Sequence, residues 1–188
     1  VETVIITSRD PAPPPLDYIA VSGGLFLDMM IHDFDLAHWM LGEVPNEVFA
    51  RGSTLVDAEI GALGDVDTAV VTMTTRSGKL CQISNSRRAV YGYDQRIEAF
   101  GSEGMLRAEN RSASSLETWT REAVSREPPL YFFLERYQEA YRNEMAHFLD
   151  CLEGKATPLV GMEEGRVALV LALAAKQSLA SGLPVVIP

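Results

Sequence analysis

The sequence predicts an α+β domain in which helices pack on one face of an open, largely antiparallel β-sheet. Strand-like stretches bounded by turn residues recur through the middle of the chain, at a spacing of roughly 10–14 residues. Two long stretches with helical spacing of apolar residues then close it. At 188 residues the chain is long enough to bury a substantial core, and we expect residues 1–188 to form a single domain.

The first third of the chain predicts a strand, a connector and a helix. Residues 1–10, "VETVIITSRD", are rich in β-branched side chains and end in a polar turn. Residues 11–18, "PAPPPLDY", should be extended, because proline disfavours both helix interiors and central strands. A helix is predicted from Leu25 to Leu41, since Gly42 suits the residue after a helix end.

The rest of the chain predicts a meander of strands followed by two helices. The predicted strands and their turns cover residues 46–55, 66–78, 79–90, 94–104, 105–110 and 114–124, the last near the edge of the sheet. Residues 129–154 and 162–182 are predicted helices, each ending at a glycine. Helices on one face leave the other face of the sheet for solvent or a partner.

Composition excludes several classes of function. Sixteen basic and twenty-six acidic residues give a net charge of −10, which argues against binding to nucleic acid or to an anionic membrane surface. No apolar run reaches the ~18–20 residues of a membrane span. Cys81 and Cys151 lie far apart in the sequence, and we expect two reduced thiols in a cytoplasmic protein.

Asp28, His32 and Asp35 raise the main functional question. They follow one another at i, i+4 and i+7 and would share one stripe of a helix that is otherwise almost entirely apolar. Polar groups on a buried helix are costly unless they are satisfied. The pattern therefore allows a satisfied polar network, a functional cleft, or a metal site that lacks evident third and fourth ligands.

The loop around Tyr91 is a weaker candidate. Residues 86–96, "SRRAVYGYDQR", hold arginines and tyrosines between two predicted strands. They form either an exposed connection or a substrate-contacting loop. No GxGxxG motif opens a helix after a strand, so these residues include no dinucleotide-binding loop of that type.

One segment carries a family resemblance. Residues 22–42, "SGGLFLDMMIHDFDLAHWMLG", resemble the signature of the glucose–fructose oxidoreductase and inositol dehydrogenase family: two glycines, an Asp, three residues, then His-Asp-x-Asp. Three further segments agree with it: "SRDPAPPP", "YGYDQRIEAFGSEG" and "ERYQEAYRNEMAHFLD". The likeness covers almost the full chain and is strongest to the inositol dehydrogenases.

The resemblance implies a two-domain enzyme of which this chain is the C-terminal half. An N-terminal dinucleotide-binding domain, absent from these residues, would bind NAD and supply a catalytic lysine. This domain would contribute substrate groups and homo-oligomer contacts, in a dimer or tetramer. The implied reaction is oxidation of a cyclic polyol, myo-inositol to 2-keto-myo-inositol, by hydride transfer to NAD, with no metal.

The same resemblance assigns roles to individual residues. Asp28 and His32 match the family's substrate-binding and catalytic pair, with His32 as the base, and Tyr91 matches a position near the substrate. Asp33 and Asp35 match the pattern, and we expect them to be structural. Two alternatives stay open: a relative acting on another sugar or polyol, and a non-catalytic oligomerisation or binding module. The choice between NAD and NADP would lie in the other domain.

Overall fold

A computed structural model describes residues 1–187. The strands are β1 Thr3–Arg9, β2 Pro45–Ser53, β3 Thr68–Thr75, β4 Leu80–Ser86, β5 Asp94–Gly101, β6 Gly104–Ala108, β7 Glu117–Trp119, β8 Val124–Arg126 and β9 Val185–Val186. The helices are α1 Leu16–Ser22, α2 Leu25–Asp28, α3 Met30–Leu41, α4 Ala58–Ala62, α5 Phe133–Arg136, α6 Gln138–Leu152 and α7 Met162–Ser181.

Seven strands form one open sheet in the order β6-β5-β1-β4-β3-β2-β9. β1 pairs in parallel with β4, and the other neighbours in the sheet are antiparallel. The predicted α+β class with a largely antiparallel open sheet is therefore confirmed. The simple meander is wrong at one point, because β1 lies between β4 and β5. Its buried Val4 and Ile6 alternate with more accessible residues, as suits a central strand covered on one face.

Helices α2, α3 and α7 cover one face of this sheet. Phe34 of α3, Leu171 of α7 and Ile6 of β1 belong to the same core and are fully buried. α7 packs against both α3 and β2. Helix packing on one face, the predicted arrangement, therefore holds for these three helices.

The opposite face of the sheet is left uncovered by the described residues. Apolar side chains on it retain 41–51% of their exposure: Ile5, Val70, Leu80, Phe100 and Met105. The register places Leu80 and Phe100 on either side of Thr3, and Met105 beside Phe100, in one row across four strands. An apolar row of this kind marks a surface suited to a partner.

Two predicted segments of the first third differ from the structure. The connector is extended only as far as Pro15, and α1 begins at Leu16 because proline is tolerated immediately before a first helical turn. The helix predicted over 25–41 is divided into α2 and α3 at Met29, whose backbone lies at φ −102° and ψ −55°.

Two later segments also differ. Residues 114–124 do not add a strand to the main sheet, since β7 and β8 pair only with each other in a separate hairpin. Residues 129–154 are largely helical as predicted, but α6 does not pack on the sheet. Its apolar positions Tyr141, Met145 and Phe148 remain 46%, 59% and 54% exposed. Across the described range 1–187, no helix combines the length and apolarity needed to cross a membrane.

Candidate functional site

Asp28 is the last residue of α2, and both of its carboxylate oxygens are held. The Tyr18 hydroxyl donates to Oδ1 at 2.6 Å, and Arg87 Nη2 donates to Oδ2 at 3.0 Å. The carboxylate side chain is 15% exposed. A carboxylate has about four acceptor positions, so two such bonds leave capacity for a ligand hydroxyl.

The start of α2 is fixed by a second carboxylate. Both oxygens of Asp65 accept the Leu25 backbone N–H at 3.1 Å. Gly24, which precedes the helix, lies at φ +88°, and a Cβ there would stand 2.7 Å from Asp65 Oδ1. The glycine thus permits both the left-handed turn and the close approach of the carboxylate. Arg87 Nη2 lies 3.9 Å from Asp65 Oδ2, so one guanidinium faces the carboxylates at both ends of α2.

His32 lies in the first turn of α3, four residues after Asp28. Its side chain is exposed and makes no hydrogen bond to any residue between 1 and 187. A neutral imidazole offers one donor and one acceptor nitrogen. His32 is therefore available to a ligand that also reaches Asp28.

Asp33, rather than the predicted stripe, is the buried polar position of α3. Its carboxylate accepts from Ser8 Oγ at 2.5 Å, Asn85 Nδ2 at 2.8 Å and Gln95 Nε2 at 3.4 Å. These bonds tie α3 to β1, β4 and β5. Burial raises the pKa of Asp33, while the three hydrogen bonds oppose that rise. The expected structural role of Asp33 agrees with this network.

The stripe itself does not form a buried row. α3 turns Met30, Phe34, Ala37 and Leu41 toward the core, which leaves His32 exposed and Asp35 only partly buried. Asp35 makes no side-chain hydrogen bond within the described range, so its structural role stays a prediction. The structure brings Asp28 and His32 to adjacent turns on either side of the break at Met29.

Tyr91 contacts a different set of residues from Asp28 and His32. Its hydroxyl donates to Asp94 Oδ2 at 2.5 Å and accepts from Arg9 Nη1 at 3.1 Å. Arg9 and Asp94 are register partners on β1 and β5. No hydrogen bond among residues 1–187 joins Tyr91 to Asp28 or His32, so a substrate role for Tyr91 stays a prediction.

Sequence reasoning did not single out Asp10, and it placed Arg87 only within the 86–96 loop, without a partner. Each follows the C-terminal end of a strand, β1 and β4, and these strands are parallel, so their ends meet at one edge. The Asp10 N–H donates to the Ser86 carbonyl at 3.1 Å. Burial raises the pKa of Asp10 to about 6; Arg87 opposes the rise, and Asp28 and Asp33 add to it. The signal in the sequence was a charged residue directly after each strand, but the parallel pairing was not predicted.

Tyr93 belongs to the same 86–96 loop, which the sequence left as an exposed connection or a substrate-contacting loop. Its ring lies edge-on to that of Tyr137, with centroids 5.8 Å apart. Burial raises the pKa of Tyr93, with smaller contributions from Tyr137, Asp10 and Asp33. Tyr93 therefore lies near enough to Asp10 and Asp33 for their charges to act on it.

The site combines several carboxylates, of which Asp28 accepts a hydrogen bond from a hydroxyl, with an exposed imidazole and a buried guanidinium. No three His, Cys, Asp or Glu side chains lie close enough to hold a metal ion in the part of the chain that the structure describes. The available chemistry is hydrogen bonding to hydroxyl groups and proton acceptance at His32.

A comparison with protein-family models decides the relationship. Residues 1–107 match the GFO/IDH/MocA C-terminal domain. This range runs from β1 to most of β6 and includes Asp28, His32, Asp65 and Arg87. The chain belongs to this family. The predicted resemblance to glucose–fructose oxidoreductases and inositol dehydrogenases is confirmed.

Relatives and solved structures agree with the family. The chain is 56% identical over 174 residues to the myo-inositol 2-dehydrogenase of Thermotoga maritima, covering 93% of this chain and 52% of that protein. A crystal structure of a myo-inositol dehydrogenase from Corynebacterium glutamicum superposes with a TM-score of 0.93 at 42% identity, over 100% of this chain and 56% of that one. Scyllo-inositol dehydrogenase from Lactobacillus casei, with bound NAD(H) and scyllo-inositol, gives 0.88 at 27% identity, over 98% and 56%.

The chain spans about half the length of the curated relatives it matches. Its likeness to them therefore concerns one of their parts. The activity of a whole protein, its substrate and its cofactor are matters for proposal.

Proposed function

We propose that residues 1–188 are the substrate domain of an NAD-dependent dehydrogenase that oxidises a cyclic polyol, myo-inositol to 2-keto-myo-inositol. In this proposal a dinucleotide-binding domain precedes Val1 in the natural protein. The observation that carries the proposal is the pair formed by Asp28, a carboxylate anchored through both oxygens, and His32, an exposed imidazole four residues later.

The residues of this chain would act on the proton and on the hydroxyl groups. His32 accepts the proton of the reacting hydroxyl on an imidazole nitrogen that carries no proton. Asp28 accepts a hydrogen bond from a substrate hydroxyl with its remaining lone pairs.

NAD does not fit the residues of this chain alone. Within residues 1–187 no glycine-rich turn joins a strand to a helix in the GxGxxG pattern that cradles a pyrophosphate. When bound by another domain, NAD supplies the hydride acceptor that polyol oxidation requires. The relatives support this assignment, because the Lactobacillus casei structure holds NAD(H) and scyllo-inositol together.

We further propose that the uncovered sheet face forms a homo-oligomer interface. The apolar row across β4, β1, β5 and β6 supports this, because side chains such as Phe100 and Met105 would lose their contact with water there. A non-catalytic oligomerisation module is the second candidate function, favoured by the same face. It differs from the first in predicting no polyol oxidation.

The test is an activity screen of the protein encoded by the complete gene. Myo-inositol, scyllo-inositol and D-chiro-inositol are offered with NAD and with NADP, and glucose is included as a reducing sugar for comparison. We expect oxidation of myo-inositol with NAD, and a higher KM with a lower kcat in Asp28→Asn. Absence of oxidation for every polyol and sugar would contradict the enzyme and favour the module.

A further inference from the structure

Arg87 is an unusually buried arginine. Its side chain is 1% exposed, although the residue lies directly after the C-terminal end of the central strand β4. Its backbone N–H donates to the Asp67 carbonyl at 2.8 Å, which fixes the chain at that point. From there the side chain reaches Asp28 at 3.0 Å and Asp65 at 3.9 Å.

The cost of this burial is not fully offset by its contacts. Arg87 Nε is buried and has no hydrogen-bond partner among residues 1–187. An unsatisfied buried donor destabilises a fold, and a buried ion pair adds little net stability over apolar packing. A requirement other than stability therefore accounts better for a guanidinium at this position.

The surroundings of Arg87 are acidic. Asp28 and Asp65 contact it, and Asp10 and Asp33 lie near enough for their charges to affect one another. Tyr18 approaches from α1 through its hydrogen bond to Asp28. The adjacent Arg88 points away, with Nη2 at 3.4 Å from the Leu55 carbonyl. Without Arg87, Asp28 would keep its bond from Tyr18 but would face neighbouring carboxylates with no contacting cation.

We propose that Arg87 is a positioning residue: it fixes Oδ2 of Asp28, so that the remaining lone pairs of that carboxylate point at a polyol hydroxyl. Tyr18 fixes the other oxygen, and together the two donors define the plane of the carboxylate. The inference rests on the proposed function for the identity of the hydroxyl. The geometric part, that Arg87 determines where the Asp28 carboxylate lies, does not depend on it.

The kinetic test uses the protein encoded by the complete gene, with myo-inositol as the varied substrate and saturating NAD. Arg87→Met should lower kcat/KM by about 10²-fold, the usual consequence of displacing a positioned group by about 1 Å. Arg87→Lys keeps the charge and should recover part of that loss. Arg88→Met, the matched control, should stay within about twofold of the wild type, since the Arg88 side chain donates to the Leu55 carbonyl and not to Asp28.

A double-mutant cycle separates positioning from general destabilisation. If Arg87 acts through Asp28, then Arg87→Met should cause little further loss of kcat/KM in an Asp28→Asn background. A full, additive loss in that background would overturn the proposal. So would wild-type kcat/KM in the Arg87→Met single variant.

A crystal structure of Arg87→Lys or Arg87→Met gives a readout that needs no activity. We expect the Asp28 carboxylate of Arg87→Met to have rotated away from its wild-type position, and that of Arg87→Lys to be closer to it. An unmoved Asp28 carboxylate in Arg87→Met overturns the proposal, even if the wild type oxidises myo-inositol. If the wild type oxidises no polyol but Asp28 moves, the proposed function fails and the positioning role of Arg87 stands.

Discussion

Replacing Asp10 with asparagine should stabilise this protein, and by an amount that depends on pH. Asp10 is a partly buried carboxyl beside the Asp28 site, with no side-chain hydrogen bond among residues 1–187. Burial raises its pKa from 3.8 to about 6. Asparagine has nearly the same shape and no charge to desolvate, so it removes this cost of folding at neutral pH.

The sign and size of this stabilisation follow from the difference between the folded and unfolded pKa values of Asp10. A carboxyl whose pKa is raised on folding destabilises the folded state as pH rises from the unfolded pKa through the folded one. With pKa values of 3.8 unfolded and about 6 folded, the ionised carboxyl costs about 1.6 kcal/mol at pH 5 and at most about 3 kcal/mol at pH 8. Asp10→Asn should therefore raise the free energy of unfolding more at pH 8 than at pH 5, by about 1.4 kcal/mol.

The assay is urea unfolding of wild type and Asp10→Asn at both pH values, followed by circular dichroism. Asp17→Asn is the matched control, because Asp17 is exposed in the same segment and should change stability little at either pH. A gain that is equal at pH 5 and pH 8, or a loss of stability at pH 8, would refute the reasoning.

Three further predictions concern the cofactor, the assembly and a loop anchor. The 188-residue chain alone should not bind NAD tightly, and a micromolar dissociation constant by calorimetry would contradict the proposed division into domains. Sedimentation should show an oligomer formed through the open sheet face, which Phe100→Arg should weaken; a monomer at high micromolar concentration would count against that interface. Asp67→Ala should lower the free energy of unfolding by about 3 kcal/mol, because this carboxylate accepts the backbone N–H groups of three successive residues, 55 to 57. Burial raises the pKa of Asp67, but its hydrogen bonds lower the pKa by more. The loss of stability should therefore be smaller at acid pH, where the wild-type carboxylate becomes protonated. Asp17→Ala, at an exposed position, should differ little from wild type when it is measured beside Asp67→Ala by urea unfolding.

Local patterns predicted most of the elements but not their neighbours. The alternation over residues 66–78 and 79–90 correctly placed β3, β4 and the turn between them. The position of β1 between β4 and β5 depends on contacts about 80 to 100 residues apart, such as Thr3 with Leu80 and with Phe100. Residue-by-residue propensity carries no information about such pairings.

For the candidate site, the sequence predicted the two central residues but not the contacts around them. The motif identified Asp28 and His32 as candidates, and both lie at the break between α2 and α3. Arg87 could not be assigned to them, because its approach to Asp28 depends on the parallel pairing of β1 with β4. The apolar spacing also predicted a helix in the region of α6, which is correct. The apolar side chains of α6, however, are not covered by the described residues.

The central claim is that His32 accepts the proton from a polyol hydroxyl, and one kinetic comparison tests it most directly. In the protein encoded by the complete gene, kcat for myo-inositol is measured at saturating NAD for wild type, His32→Ala and His38→Ala. His38 is the matched control, a histidine later in the same helix with no place in the proposed site. We predict that His32→Ala lowers kcat by about 10²–10⁴-fold, the usual contribution of a positioned acid–base group, while His38→Ala leaves it nearly unchanged. A kcat near that of the wild type in His32→Ala would contradict the assignment.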